Sequence, residues 1–276
     1  MAVENFVTIA DAEVDGSQPL KVTTMQSMQG NQDWMKLLTT SNINGGKVSP
    51  GATQASQILI EAGQALDGTG VTAYSWAEHT IDITTSGIQG LDTGAEASDT
   101  WYAVHILGDS TNVATSLGVF SLSATSPTLP AAYDVCRFLG WVRNDSSSNF
   151  LEFTSDPFHR HMWEEDRSNL LVLNGGTATS FTAVDLSSLV PPNAPGVYIR
   201  TMFDSNNAGA NAEIRDSGSS LTDPPIHIQN GVGTTGNNAG STIFQMVLGD
   251  TKEIEYMVNT GSSNLTIYVM GYIDKL

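Results

Sequence analysis

From Ser41 onward, apolar residues come in short runs, many of them alternating with polar ones, and clusters of Gly, Asn, Ser or Asp separate the runs. A helical core needs one apolar side repeated over several turns, whereas a strand needs only every second residue. The pattern therefore selects sheets. In the first half, strands are expected at Gln57 to Glu61, Thr80 to Thr84, Thr100 to Leu107, Val119 to Ala124, Val135 to Arg143 and Asn149 to Thr154. The last two flank the turn Asp145-Ser146-Ser147-Ser148 and read as a hairpin. Composition agrees: charged residues make up only 14% of the 276, so long exposed helices lack their usual Glu, Lys and Arg.

The N-terminal segment reads differently. Val3 to Ile9 suits a short strand or extended arm. Ser17 can then cap a helix with Pro19 in its first turn. Leu20, Met25, Met28, Trp34, Met35 and Leu38 approximate one apolar stripe, which predicts a single helix from Leu20 to Leu38. Residues 1–12 carry Glu4 and Asp11, no basic start and no long apolar core, so they do not resemble a secretory leader.

Between Ser155 and Asn169 the texture changes, with Pro157, His159-Arg160-His161 and the acids Glu164, Glu165 and Asp166. A junction is placed there. The expected organisation is an N-terminal arm and helix over residues 1–40, used in attachment, a β-sandwich over 41–165 and a C-terminal β-sandwich over 166–276. The second is assembled from Leu170 to Leu173, Ala183 to Leu186, Val197 to Phe203, Ala212 to Arg215, Ile243 to Leu248, Lys252 to Asn259 and Leu265 to Tyr272. Ile254, Tyr256 and Val258 face the same way as Leu265, Ile267 and Val269 across the turn at Thr260 to Asn264. The Gly/Asn/Ser-rich stretch between Ser205 and Ser241 reads as long exposed loops. The fold class is all-β, two sandwich or jelly-roll-like domains behind one arm and one helix.

Charge narrows the partners. With 29 acidic residues against 11 basic, the formal net charge is −18. Such a surface repels nucleic-acid phosphates and anionic lipid head groups, so neither is expected as a partner. No run approaches the roughly 20 apolar residues of a membrane span. The one cysteine, Cys136, cannot form an intrachain disulfide, and its apolar neighbours predict a small buried hydrophobe.

Motifs that carry catalysis are missing: there is no HExxH, no Cys pair at zinc spacing and no Gly-x-Ser-x-Gly elbow. Gly231-Val232-Gly233-Thr234-Thr235-Gly236 fits GxGxxG but is followed by Asn237-Asn238-Ala239-Gly240, which opens no helix to hold a pyrophosphate. It reads as a loop. The densest ligand set is His159, His161, Glu164, Glu165 and Asp166; on a strand His159 and His161 would share a face, yet hydrogen bonding and solvated charge explain them as well. Asp92, Glu96 and Asp99 are candidate paired acids in a loop, while His79, His105 and His227 accompany β runs. Trp76, Trp101 and Tyr102 could stack on sugars, but packing inside a sheet fits them better. No catalytic residue, cofactor or metal site is assigned.

Two stretches resemble known proteins. Ala10-Asp11-Ala12-Glu13-Val14-Asp15-Gly16-Ser17-Gln18-Pro19-Leu20, running on to Met28-Gln29-Gly30-Asn31, is similar to N-terminal segments of phage and prophage virion proteins. Trp101-Tyr102-Ala103-Val104-His105-Ile106-Leu107, then Leu122 to Asp134 and Arg137 to Asp145, resembles a module of phage tail-fibre and related virion proteins. In that pattern a WYxVxxI strand precedes SxxxPxLPxGYxxxRxIGxVxxD, and here Ala132 stands where the pattern has glycine. The resemblance implies a virion structural protein, made in the host cytoplasm. Such a protein assembles with itself, expected as a trimer, and with other virion proteins. The role so implied is non-enzymatic: a tail fibre, spike or tail-tip subunit in assembly and host contact. Alternatives are a capsid decoration or head-fibre protein, and a carbohydrate-binding or depolymerase tailspike-like protein acting on host-surface polysaccharide.

Overall fold

The computed structural model describes residues 43–274 apart from 71, 157–158, 208, 225 and 230–237. The expected arm, the Leu20 to Leu38 helix and the GxGxxG loop lie outside the described residues, except for Asn238-Ala239-Gly240 after the loop. What is described is all-β, nineteen strands in antiparallel sheets with no helix.

Three sheets arise from the first half. One joins β1 (Ile43–Gly45), β4 (Gly63–Leu66) and β5 (Ala73–Trp76). A second joins β2 (Val48–Pro50), β3 (Gln57–Ile60) and β6 (His79–Asp82). Both lie against the third, in which β7 (Trp101–Asp109) is flanked by β8 (Asn112–Ser121) and β9 (Val135–Arg143). Residues Tyr102 to Gly108 are all buried, because β7 is central and covered on both faces. Such a strand reads as an apolar run rather than an alternation, as this one does apart from His105. Ile58, Ile60, Ile81, Tyr102, Val104 and Ile106 pack together, each burial stabilising by about 2 kcal/mol. Two buried aromatic residues spend their polar atoms on backbone: the Tyr74 hydroxyl donates to the Ile106 carbonyl at 3.0 Å, and Trp76 Nε1 donates to the Glu61 carbonyl at 2.9 Å.

The C-terminal half supplies two more sheets. The larger runs β10 (Phe153–Ser155), β11 (Arg160–Trp163), β19 (Ser263–Ile273), β14 (Gly196–Ser205) and β17 (Asn238–Val247), with β12 (Leu171–Gly176) also on β19. The smaller runs β13 (Thr182–Asp185), β18 (Glu253–Val258), β15 (Asn211–Asp216) and β16 (Ile226–Gln229). Their apolar sides meet in one cluster containing Val197, Ile199, Ile214, Tyr256, Ile267 and Val269.

The structure refines the sequence reading at several points. Residues 254–258 and 265–269 do turn alternate side chains into one core, but from opposite layers: β18 pairs with β13 and β15, and β19 pairs with β11, β12 and β14. The turn at 260–264 thus carries the chain between layers. Strands β10 and β11 precede the junction drawn at 165, yet they hydrogen-bond into the sheet of the C-terminal half. The hairpin expected around Ser146 is brief. Asp145 N donates to the Asn149 carbonyl at 2.8 Å, Asn144 bridges Phe150, and the chain then leaves for β10. Within the stretch taken as loops between Ser205 and Ser241, Ile226–Gln229 forms a strand on β15.

Candidate functional site

In the fold Glu165 turns to other partners, while His159 and His161 both stay within electrostatic reach of Asp274. His159 sits just before β11 with φ 57°, which turns it off the strand that carries His161. Glu165 spends its oxygens on Glu152 N (2.9 Å) and Asn169 Nδ2 (3.0 Å). Among the described residues no three His, Cys, Asp or Glu side chains gather at a spacing that could hold a metal ion.

His161 instead joins a partner that sequence reasoning missed, Asp274. His161 Nε2 lies 2.7 Å from Asp274 Oδ2, with side-chain exposures of 1% and 0%. The other ring nitrogen, Nδ1, shares a hydrogen bond with Ser155 Oγ at 2.9 Å, since Ser155 and His161 are opposite each other on β10 and β11. A serine, a histidine and an aspartate thus stand within reach, the elements of nucleophilic catalysis. A catalytic imidazole, however, must meet the leaving group of a substrate. This one lies flat on the Tyr272 ring, with centroids 4.8 Å apart at 9°, and is sealed.

The same group ties the two halves together. Trp141 N donates to Asp274 Oδ2 at 3.2 Å, the Tyr272 hydroxyl donates to the Trp141 carbonyl at 2.8 Å, and Asp274 N donates to the His159 carbonyl at 3.1 Å. Gly140 makes the approach possible, because a Cβ there would lie 2.6 Å from Asp274 Oδ2. Trp101 joins the seam, its Nε1 donating to the Ser187 carbonyl at 2.9 Å and its ring packing on Trp163 and Tyr272. Trp101 is partly buried there, and Trp76 and Tyr102 are buried.

The acids Asp92, Glu96 and Asp99 each take a partner of their own. Asp92 accepts from Thr93 N and Thr128 N, both at 2.7 Å, Glu96 accepts from Asn144 Nδ2 at 2.8 Å, and Asp99 lies 3.5 Å from Arg143. Asp92 thereby ties its loop to Thr128, and Glu96 and Asp99 tie the same loop to the end of β9.

A cavity of about 670 Å³ opens beside β9 and is lined by Asp67, His105, Asp134, Cys136 and Arg137 among others. His105 is 1% exposed, and its Nε2 bonds to the Ser123 carbonyl at 2.8 Å. A carbonyl accepts only from N–H, so the neutral tautomer carries its proton on Nε2. Burial pulls its pKa down to about 4. Cys136 is half-buried rather than fully covered, and desolvation followed by the nearby Asp67 charge raises its thiol pKa, the wrong direction for a nucleophile. His79 contacts Ser116 Oγ at 3.1 Å, and His227 lies 2.9 Å from Asp223. Each has a local partner.

One surface stands apart. Register across the larger sheet sets Leu171, Tyr268, Arg200 and Ile243 side by side on β12, β19, β14 and β17. This face is opposite the one built from Val197, Ile199, Ile267 and Val269. Ile243 is 61% exposed and Val247, on the same face, 75%. Arg167 lies over the Tyr268 ring at 5.4 Å and reaches Met202 Sδ at 3.8 Å; Arg200 donates to Ser241 Oγ at 3.1 Å. Neither arginine has a carboxylate within ion-pair distance among the described residues.

Compared with known proteins, the chain matches no family model, and no curated protein matches it either.

Proposed function

We propose that the chain is a non-enzymatic structural component of a tailed-phage particle, a tail-fibre, spike or tail-tip subunit that works through assembly and surface contact. The two C-terminal layers then act as one sandwich-like unit, and the residues before Ile43 serve in attachment. The observation that carries this reading is where the unspent chemistry lies. The His161 imidazole and the Asp274 carboxylate are closed to solvent, leaving only the half-buried Ser155 hydroxyl at the surface, whereas the open sheet face around Arg200 and Ile243 offers apolar and cationic groups to a partner. Interfaces favour this mixture of Arg, Tyr, Met and aliphatic side chains with few acids. The tail-fibre-like motif over residues 101–145 supports the same role.

Mass spectrometry of purified particles tests it: peptides of this chain should co-purify with the particle through a density gradient. Loss of the chain on purification would reject the proposal. Copy number separates a tail subunit from the alternative, a head decoration, because hundreds of copies per particle would favour the head.

A further inference from the structure

The outer face of the larger C-terminal sheet poses an electrostatic problem that the isolated chain leaves unsolved. The chain carries 29 acids and 11 bases, so an arginine on its surface should find a carboxylate easily. Among the described residues Arg167 and Arg200 do not. Arg167 rests on Tyr268 and a methionine sulfur, and Arg200 on a serine hydroxyl. Both stand in a field of exposed or half-exposed apolar side chains, Leu171, Met202 and Ile243. Guanidinium groups on an apolar, aromatic floor are the usual anchors of protein contacts, since burial there strengthens each charge-assisted bond.

The geometry points to this face as the docking surface for the acidic exterior of a second copy of the same chain, in a head-to-tail contact. Charge decides both the partner and the orientation. The formal net charge of −18 makes the rest of the molecule complementary to Arg167 and Arg200. A two-fold contact through the face itself would set these arginines against their own images, which the charges oppose. A heterologous contact avoids this, and it builds a ring when its rotation closes. The inference rests on the reading of the chain as an assembling building block and names the surface that assembly uses.

The test is sedimentation of the full chain over a range of concentrations and salt. The expected result is a closed oligomer that dissociates as salt rises, since exposed charge pairs are screened over about 8 Å at physiological ionic strength. R167E and R200E should each weaken association by about tenfold or more, and Ile243→Asp likewise. Ile88→Asp, which alters an exposed apolar residue away from this sheet, should leave assembly unchanged. Unaltered thermal unfolding of the dissociated variants would show that the fold survives. A chain that stays monomeric at every concentration and salt overturns the inference. So does an oligomer indifferent to all three face substitutions, or a monomer that uses these arginines to bind a sulfated polysaccharide probe. If particles contain the chain but its oligomer ignores these residues, the docking face is refuted while the structural role stands.

Discussion

His161 Nε2 sits 2.7 Å from Asp274 Oδ2 in a region closed to solvent, which joins the β10–β11 hairpin to the far end of β19. Removing one partner strands the other. Asp274→Ala leaves the Trp141 amide without its acceptor and the buried imidazole without the carboxylate beside it, and the loss should be about 3 kcal/mol. Asp274→Asn keeps an oxygen in place and should cost clearly less. Urea midpoints of the two variants against the native chain measure the difference.

His105 makes stability depend on pH. Its folded pKa of about 4 lies below the ordinary 6.5, so the unfolded chain takes up a proton that the fold refuses. Stability from this residue is therefore complete above about pH 6.5 and falls as the pH drops toward 4, by about 3 kcal/mol in all. His105→Gln, whose amide can still donate to the Ser123 carbonyl, should flatten that slope. Denaturation curves at several pH values across this window give the comparison.

Ala132 occupies φ 85°, a conformation that suits glycine, and it stands where the tail-fibre-like pattern has glycine. Ala132→Gly should relieve about 1 kcal/mol of backbone strain and raise Tm by a few degrees. A lower Tm would show that the chain entropy gained by the unfolded state outweighs the strain.

Trp101 was a candidate for stacking on sugars but spends its ring on Trp163 and Tyr272 and its Nε1 on Ser187. Trp101→Phe should cost about 1–2 kcal/mol through the lost hydrogen bond and volume. Soluble oligosaccharides should leave Trp101 fluorescence unchanged. Quenching by sugar would reopen the binding role.

Where the physics was local, the sequence could be read. Gln57 to Ile60 and Glu253 to Val258 alternate in burial because one side of each is covered, and Tyr102 to Leu107 reads as an apolar run broken only by His105 because both sides are. Gly63–Leu66 and Ala73–Trp76 escape such a reading, being four residues each with a polar residue inside them. The His161 partner was illegible for a different reason. Asp274 is more than a hundred residues away, and no periodicity links a cross-strand pair to the end of a distant strand. Nor could alternation say which layer a strand joins, since residues 254–258 and 265–269 turn into the same core from opposite sides.

Strand β19 follows every other described strand in the chain, yet β11, β12 and β14 all pair with it. The earlier strands therefore emerge from the ribosome without the neighbour that organises them, and their sheet can close only after residue 273 has been made. Such distant pairing is slow to nucleate. A truncated product stopping before β19 would lack the row through Tyr268 altogether, so incomplete copies are kept out of any assembly that docks there.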